Sequence, residues 1–168
     1  MKNILEEIAA RTRERIAKEK TCISVSELEN RIQEVNKNAG KRITFLQALQ
    51  KDGMSYICEV KKASPSKGLI APDFPYLAIA KEYEQAGASA ISCLTEPFYF
   101  QGADQYLREI SAAVQIPVLR KDFTVDEYMI YQAKSLGASA VLLICAILDD
   151  GESVSYTHLR AHETPEHL

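Results

Sequence analysis

Apolar residues recur at helical spacing through the first part of the chain, with charged residues between them. This pattern predicts an amphipathic helix near the N-terminus. A second apolar stripe, after the capping signal Ser24 to Glu27, predicts a helix that stops near residue 40, and a short helix is predicted over residues 45–49. Residues 1–50 therefore form a helical packing layer or lid. The residues of the first stripe are Ile4, Leu5, Ile8, Thr12 and Ile16.

From residue 56 onward, short apolar runs alternate with helical stripes. The runs predict strands at residues 56–60, 90–94, 117–121 and 141–145. The segment Gly-Ala-Ser-Ala occurs at residues 87–90 and again at 137–140, each time between a helix and a strand, so one unit repeats. Repeating βα units predict an α/β fold with parallel strands, either a doubly wound sheet or a (β/α)8 barrel. No Gly-x-Gly-x-x-Gly follows a predicted strand, which disfavours the nucleotide-binding form of the doubly wound sheet.

Polar residues follow the ends of three predicted strands. A lone Glu-x-Lys is more often a structural ion pair than a site, but three such strand ends favour the barrel, whose active sites lie at the C-terminal ends of the strands. Two lysines facing one cavity would repel each other, which favours loss of a proton and prepares one of them for proton transfer. In the following loops, Phe100 and Phe123 would form an apolar wall for a flat substrate. The polar residues are Glu59 and Lys61, Thr95 and Glu96, and Lys121 and Asp122.

Composition narrows the class of protein. The chain has 168 residues, a net charge of −3 and 46% apolar residues, which is typical of one globular domain and argues against a nucleic-acid interface. Acidic residues near the N-terminus do not suit a signal peptide, and the longest apolar run, residues 140–148, is too short to span a bilayer. A cytoplasmic location without membrane contact is therefore expected. Cys58, Cys93 and Cys145 lie in predicted strands as small apolar residues, and no cysteine has zinc or redox spacing.

Three segments closely resemble a known enzyme family. They are Glu-Val-Lys-Lys-Ala-Ser-Pro-Ser-Lys-Gly at residues 59–68, Leu-Thr-Glu-Pro-Phe-Tyr-Phe-Gln-Gly at 94–102, and Leu-Arg-Lys-Asp-Phe at 119–123. The resemblance is to indole-3-glycerol-phosphate synthase, a (β/α)8 TIM-barrel enzyme of tryptophan biosynthesis with a helical N-terminal extension. It covers residues 1–150. It implies an extension over residues 1–50 and the first half of a barrel over residues 51–150, truncated after about four strands.

The resemblance also implies a reaction and a set of site residues. The expected activity is that of a carboxy-lyase, which closes a ring in 1-(2-carboxyphenylamino)-1-deoxyribulose 5-phosphate with loss of carbon dioxide and then of water. By match to the family's motifs, Lys121 would be the general acid, Lys61 would hold anionic groups and assist the dehydration, and Glu59 would orient the lysines and a substrate hydroxyl. No metal or organic cofactor is required. The substrate-binding residues would be Ser64 and Pro65 on the anthranilate side, with Phe100, Phe123 and Leu142 as apolar walls.

The chain departs from the family after residue 150. Residues 151–168 contain no apolar strand and hold all three histidines, and we interpret them as a tail that does not match the fold. On a helix His158 and His162 would lie one turn apart and share a metal, but a third ligand is not evident. The family's general base and phosphate-binding loops belong to the second half of the barrel. We therefore expect little or no synthase activity from this chain alone, and self-association through open sheet edges.

Two other functions stay open at this point. One is a different phosphosugar barrel enzyme, such as phosphoribosylanthranilate isomerase, although the turn at residues 61–68 and the helical extension argue against it. The other is a non-catalytic fragment that pairs with a second half-barrel or with itself.

Overall fold

The computed structural model describes residues 3–38 and 42–162, in which helices surround a four-stranded parallel sheet. Three helices come first: α1 Ile4–Cys22, α2 Val25–Asn38 and α3 Phe45–Leu49. The sheet consists of β1 Ile57–Val60, β4 Ala90–Leu94, β5 Val118–Lys121 and β6 Ala140–Val141. Between its strands lie α4 Tyr76–Gln85, α5 Asp104–Ala113 and α6 Tyr128–Ser135. A hairpin, β2 Ala63–Ser64 with β3 Gly68–Leu69, follows β1, and a 3₁₀ helix, Cys145–Ile147, and α7 Asp150–His162 follow β6.

The helix starts have the caps that the sequence provides. The Ser24 hydroxyl accepts the backbone N–H of Glu27 at 3.2 Å, which confirms the serine half of the predicted capping box. A complete capping box, not predicted, begins α3: the Thr44 hydroxyl accepts the N–H of Gln47, and the Gln47 side chain accepts the N–H of Thr44. These bonds satisfy N–H groups that have no partner within a helix. The predicted helices before the sheet are confirmed.

The order of the strands distinguishes the two predicted architectures. The four parallel strands follow one another in chain order across the sheet, β1, β4, β5, β6. A doubly wound sheet reverses direction at a switch point, whereas a barrel adds each strand beside the previous one. The described sheet is therefore the arrangement of a (β/α)8 barrel, with four of the eight strands that such a barrel contains.

The repeated Gly-Ala-Ser-Ala segment forms the same connection twice. Gly87 and Gly137 end α4 and α6 with positive φ angles of 91° and 89°, a conformation that glycine adopts without strain. Two residues later, the N–H of Ser89 donates to the carbonyl of Tyr56, and the N–H of Ser139 donates to the carbonyl of Val118, both at 2.8 Å. Each segment therefore caps a helix and starts the pairing of the next strand.

The apolar core has two parts. One lies between the sheet and helices α4 to α6, around Ile91, Leu107 and Ile110, none of which is exposed to solvent. The other lies between the N-terminal helices and α6, around Ile16, Leu28 and Met129. The extension therefore packs on the sheet's own helices, as the predicted packing layer requires.

Two predictions about the fourth strand were wrong. The strand was predicted over residues 141–145, but it covers only Ala140–Val141, and residues 145–147 form the 3₁₀ helix. Cys145 is consequently exposed, although Cys93 is buried as predicted. The described sheet has no strand on the other side of β6, so nothing pairs with residues 142–144 there. None of the described helices is long and apolar enough to cross a membrane.

Candidate active site

A carboxylate lies between two ammonium groups at the C-terminal ends of the strands. Lys61 Nζ donates to Glu59 Oε1 at 2.6 Å, and Lys121 Nζ lies 3.7 Å from Glu59 Oε2. The side chains of all three residues are about one-third exposed, so they are accessible to a bound molecule. The structure thus brings together the three residues that the sequence predicts as catalytic. Their net charge of one positive unit suits an anionic substrate.

The register of the strands produces this contact. Glu59 lies opposite Ser92 of β4, and β4 separates β1 from β5. Adjacent strands lie about 5 Å apart, so only long side chains reach across the strand between them. The Ser92 hydroxyl donates to Glu59 Oε2 at 3.5 Å and so helps to position the carboxylate. Ser92 was not predicted, although it is the polar residue within the apolar strand Ala90–Leu94, which was a signal for it.

The residues predicted to bind substrate follow the C-terminal ends of the strands. Phe100 and Phe123 contact each other, with ring centroids 6.4 Å apart. Ser64 is in β2 and its hydroxyl accepts the N–H of Lys67, while Pro65 lies in the exposed hairpin turn. Leu142 follows β6 directly and is half-buried. All five residues therefore follow strands of the sheet on the side where Glu59 lies.

Glu96 shapes the loop that carries Phe100. Its carboxylate is fully buried and accepts three backbone N–H groups: from Phe98 at 3.0 Å, from Tyr99 at 2.7 Å and from Phe100 at 3.0 Å. A carboxylate has enough acceptor sites for three N–H donors, whereas an apolar side chain has none. Glu96 follows β4 as predicted, but its carboxylate binds the backbone of its own loop.

Asp122 and Arg120, on either side of Lys121, belong to a buried polar network. Arg120 donates to Thr95 at 3.1 Å and to Asp104 at 2.9 Å, and its side chain is only 1% exposed. Asp122 accepts from Arg15 of α1 at 2.9 Å and from the Thr95 hydroxyl at 2.8 Å. Alternation along β5 explains this, because the neighbours of Lys121 point to the opposite side of the sheet. Thr95 and Asp122, which follow strand ends as predicted, therefore have a structural role in this network.

The charges of this network perturb two pKa values. Burial alone would raise the pKa of Asp122, but the guanidinium groups of Arg120 and Arg15, with the hydrogen bonds from Arg15 and Thr95, hold it below its ordinary value of 3.8. Burial acts to lower the pKa of Arg15, yet the carboxylate of Asp122 raises it above its ordinary value. Both groups are therefore charged at neutral pH. They tie the N-terminal extension to the segment that carries Lys121.

Helix α1 also contacts the Glu96 loop. The Arg11 guanidinium lies over the Phe98 ring, 4.3 Å from its centroid, and the Tyr99 hydroxyl donates to Glu7 at 2.6 Å. These residues precede Phe100 in the loop. The extension was predicted as a packing layer or lid, and its contacts reach both loops that carry the aromatic walls.

Neither Cys93 nor a cluster of metal ligands forms a further candidate site among the described residues. Burial raises the pKa of Cys93 to about 12, so its thiol stays protonated and is a poor nucleophile. Within residues 3–38 and 42–162, no three His, Cys, Asp or Glu side chains lie close enough to hold a metal ion. The side chains of His158 and His162, which the sequence placed one turn apart, lie outside the described residues.

Comparison with known proteins adds a family to this geometry. The sequence model of the family described as indole-3-glycerol phosphate synthase matches residues 5–164. Curated proteins with that same name are 53% identical over 147 residues in Ruminiclostridium cellulolyticum, 51% over 156 residues in Lacticaseibacillus paracasei, and 53% over 146 residues in Endomicrobium trichonymphae. These alignments cover 87%, 93% and 86% of this chain, but only 55%, 59% and 55% of the relatives. The chain thus spans little more than half the length of the curated relatives it matches.

Proposed function

The chain belongs to the indole-3-glycerol phosphate synthase family, and from that premise we propose that it supplies the first half of such a synthase. The substrate is 1-(2-carboxyphenylamino)-1-deoxyribulose 5-phosphate and the product is indole glycerol phosphate. The observation that carries the proposal is the Glu59 carboxylate between the ammonium groups of Lys61 and Lys121. One acid and one further cation at a strand end are what the ring closure requires.

Lys121 is the general acid in this proposal. As the aromatic carbon attacks the ribulose carbonyl carbon, a carbon–carbon bond forms and the carbonyl oxygen takes a proton from Lys121 Nζ. The bond to the carboxylate then breaks, carbon dioxide leaves, and its electron pair restores the aromatic ring. Loss of the new hydroxyl as water completes the indole. The 3.7 Å distance from Lys121 to Glu59 leaves the ammonium free to turn towards a substrate oxygen.

Lys61 and Glu59 have supporting roles. Lys61 is held by Glu59 at 2.6 Å and binds anionic groups of the substrate, and it assists the dehydration. Glu59 orients both lysines and a substrate hydroxyl. Ser64 and Pro65 line the anthranilate side, and Phe100, Phe123 and Leu142 enclose the aromatic ring. The proposed chemistry uses no metal or organic cofactor, and it leaves the general base and the phosphate-binding loops to the second half of the barrel.

Incomplete assembly of the site is part of the proposal. We expect the chain alone to have little or no synthase activity, and to self-associate through its open sheet. Strand β1 lies at one edge of the described sheet. Its first residue, Ile57, is 47% exposed, and Tyr56, which precedes the strand, is 57% exposed. This observation favours a second candidate function, a non-catalytic half-barrel that pairs with another half or with itself.

The proposed division is an extension over residues 1–50, a half-barrel over residues 51–150 and a tail over residues 151–168. Helix α7 nevertheless packs on α6, Tyr156 is buried, and the family's sequence model matches as far as residue 164, so these observations do not support a boundary after residue 150. A cytoplasmic location belongs to the same proposal. It is supported by the four cysteines, all of which are unpaired thiols, as expected in a reducing compartment.

The test is reconstitution of activity. The purified chain is assayed alone and after mixing with the C-terminal half of the Ruminiclostridium cellulolyticum relative, and formation of indole glycerol phosphate is followed by its fluorescence. We expect turnover only from the mixture, and a loss of at least about a hundredfold with Lys121→Gln, the size of a general-acid contribution. Lys67→Gln, in the exposed hairpin turn, is the matched control and should stay within about twofold, which is about 0.4 kcal/mol.

Two outcomes would contradict the proposal. Turnover by the chain alone close to that of the complete relative would overturn the expectation of inactivity. A reconstituted mixture that is unaffected by Lys121→Gln would remove the assigned acid. Size-exclusion mass separates the second candidate, because a monomer with a cooperative melt would argue against self-association.

A further inference from the structure

A cavity lies at the opposite end of the sheet from Glu59. It has a volume of about 600 Å³ and is bounded by α2, the residue Arg42 after it, α5 and α6. Ser111 in the last turn of α5 and Gly137 at the end of α6 both line it, and these helix ends lead into the starts of β5 and β6. The cavity is therefore at the N-terminal ends of the strands, away from the proposed catalytic lysines.

Three arginines from three elements line this cavity. Arg31 comes from α2, Arg42 from the segment after it and Arg108 from α5. Arg31 pairs with Glu27 one turn away at 2.5 Å. Arg42 donates to the carbonyl of Ser111 at 2.7 Å, and neither it nor Arg108 forms an ion pair with an acidic side chain among the described residues. Arg42 and Arg108 therefore have no salt bridge among the described residues, although Arg108 is close enough to Glu109 to help lower the pKa of that carboxyl.

The side chains that line the cavity carry a net positive charge. Glu34 is the acidic residue among them, against three arginines. Glu27, which is not a lining residue, offsets the charge of Arg31, and the C-terminal ends of α5 and α6 add partial negative charge, roughly half a unit each. The donors that remain for a ligand are therefore the guanidinium N–H groups of Arg42 and Arg108.

A buried hydroxyl at the same place also lacks a partner. Ser111 is 3% exposed, and its Oγ makes no hydrogen bond within the described residues. Buried polar atoms without partners are rare in native proteins, and each one calls for an explanation. Together with the arginines, this hydroxyl leaves donors around one cavity without a matching acceptor.

We propose that Arg31, Arg42 and Arg108 bind a phosphate group in this cavity, either as inorganic phosphate or on a small phosphomonoester. Guanidinium groups present paired N–H donors that match the oxygens of phosphate, and several of them around one anion give specificity as well as charge. The volume is within the range of small-molecule sites and leaves room for a sugar. The site is separate from the proposed synthase site, so each stands or falls by its own test.

The experiment is a calorimetric titration of the purified full chain at low ionic strength. Inorganic phosphate and ribose 5-phosphate are the probes, and ribose is the uncharged control. We expect both phosphates to bind and ribose not to bind. Tighter binding of ribose 5-phosphate would assign the site to phosphomonoesters, whereas equal binding of the two would assign it to phosphate itself.

The variants Arg108→Gln and Arg42→Gln should each weaken binding about tenfold or more, since each removes one charged contact. Arg13→Gln is the matched control, because Arg13 also donates to a single backbone carbonyl, that of Ile147, but lies outside the cavity. It should leave the affinity within about twofold.

Circular dichroism of every variant checks that the fold is kept. Arg108 makes no described ion pair, so its replacement is the variant least expected to disturb folding. The proposal is overturned if no phosphate binds more tightly than about 10 mM, a free energy too small for a built site. It is also overturned if Arg13→Gln weakens binding as much as Arg108→Gln does.

Discussion

Replacement of Asp122 by asparagine tests whether the buried network holds the N-terminal extension on the sheet. The change keeps the shape of the side chain and removes its negative charge. Asp122 is fully buried and accepts from Arg15 at 2.9 Å and from the Thr95 hydroxyl at 2.8 Å, and its Oδ2 lies 3.5 Å from Arg120. Two guanidinium groups therefore lose a shared partner, and both are largely removed from solvent.

The expected loss of unfolding free energy depends on which partners Arg120 and Arg15 keep in the variant. Breaking a buried ion pair by removing one partner costs about 3–5 kcal/mol. Arg120 keeps its bond to Asp104 at 2.9 Å, and asparagine still offers one acceptor oxygen, so we expect the lower end, about 3 kcal/mol. Arg15 loses more of its ion pairing than Arg120 does, because its other acidic neighbour, Glu19, lies 3.9 Å away.

Urea unfolding followed by far-ultraviolet circular dichroism measures this loss. Asp126→Asn is the matched control, because Asp126 pairs with Lys20 of α1 at 2.6 Å, but the two side chains are 30% and 43% exposed. That exposed pair should contribute less than about 1 kcal/mol. Equal losses from the two variants would show that burial of the Asp122 network adds nothing, and the reasoning would fail.

The pH dependence gives an independent check with a defined sign. The pKa of Asp122 is lowered in the folded state, so the network's contribution is present above the unfolded pKa and is lost as the pH falls through the folded pKa. The difference in unfolding free energy between the unsubstituted chain and the Asp122→Asn variant should therefore be the same at about pH 7 and about pH 5. It should become smaller only below about pH 4. A difference that widens on acidification would contradict the lowered pKa.

Two further predictions concern the loop after β4. Glu96→Gln replaces one acceptor oxygen by an N–H₂ donor facing a backbone N–H, so urea unfolding should show a loss of about 1–3 kcal/mol and nuclear Overhauser contacts between the rings of Phe100 and Phe123 should weaken. Gly102→Ala would place a Cβ 2.5 Å from the backbone oxygen of Leu94, so the same assay should show about 1–3 kcal/mol of destabilisation; Gly151→Ala, near only a side-chain atom, should be neutral.

Much of the fold could be predicted because its determinants are local. Helices α1 and α3 follow from apolar spacing and end within a few residues of the predictions. The glycines at 87 and 137 are needed where the backbone has positive φ, so their repetition marked two equivalent connections. Part of the candidate catalytic group could also be predicted, because the alternation of side chains along one strand places Glu59 and Lys61 on the same side.

The buried network could not be predicted, because its partners are far apart in the sequence. Arg15 and Asp122 are separated by 107 positions, and no local pattern indicates that α1 packs beside the end of β5. Arg120 lies in an apolar strand next to Lys121, so the sequence offered it as readily for the open face as for the interior. Alternation was the signal that separates the two, since Lys121 and Arg120 cannot face the same side.

The fourth strand shows why an apolar run is necessary for a strand but not sufficient. Residues 141–145 have the composition of a buried strand, yet regular pairing stops at Val141, and beyond it only the N–H of Leu142 reaches the carbonyl of Arg120, at 3.4 Å. In a parallel sheet an interior strand is fixed by neighbours on both sides, and β6 has one neighbour in the described sheet. A further strand would pair with residues 142–144 and extend β6. Because Leu142 is proposed as a wall of the substrate site, completing the barrel would complete that wall as well as add the missing base.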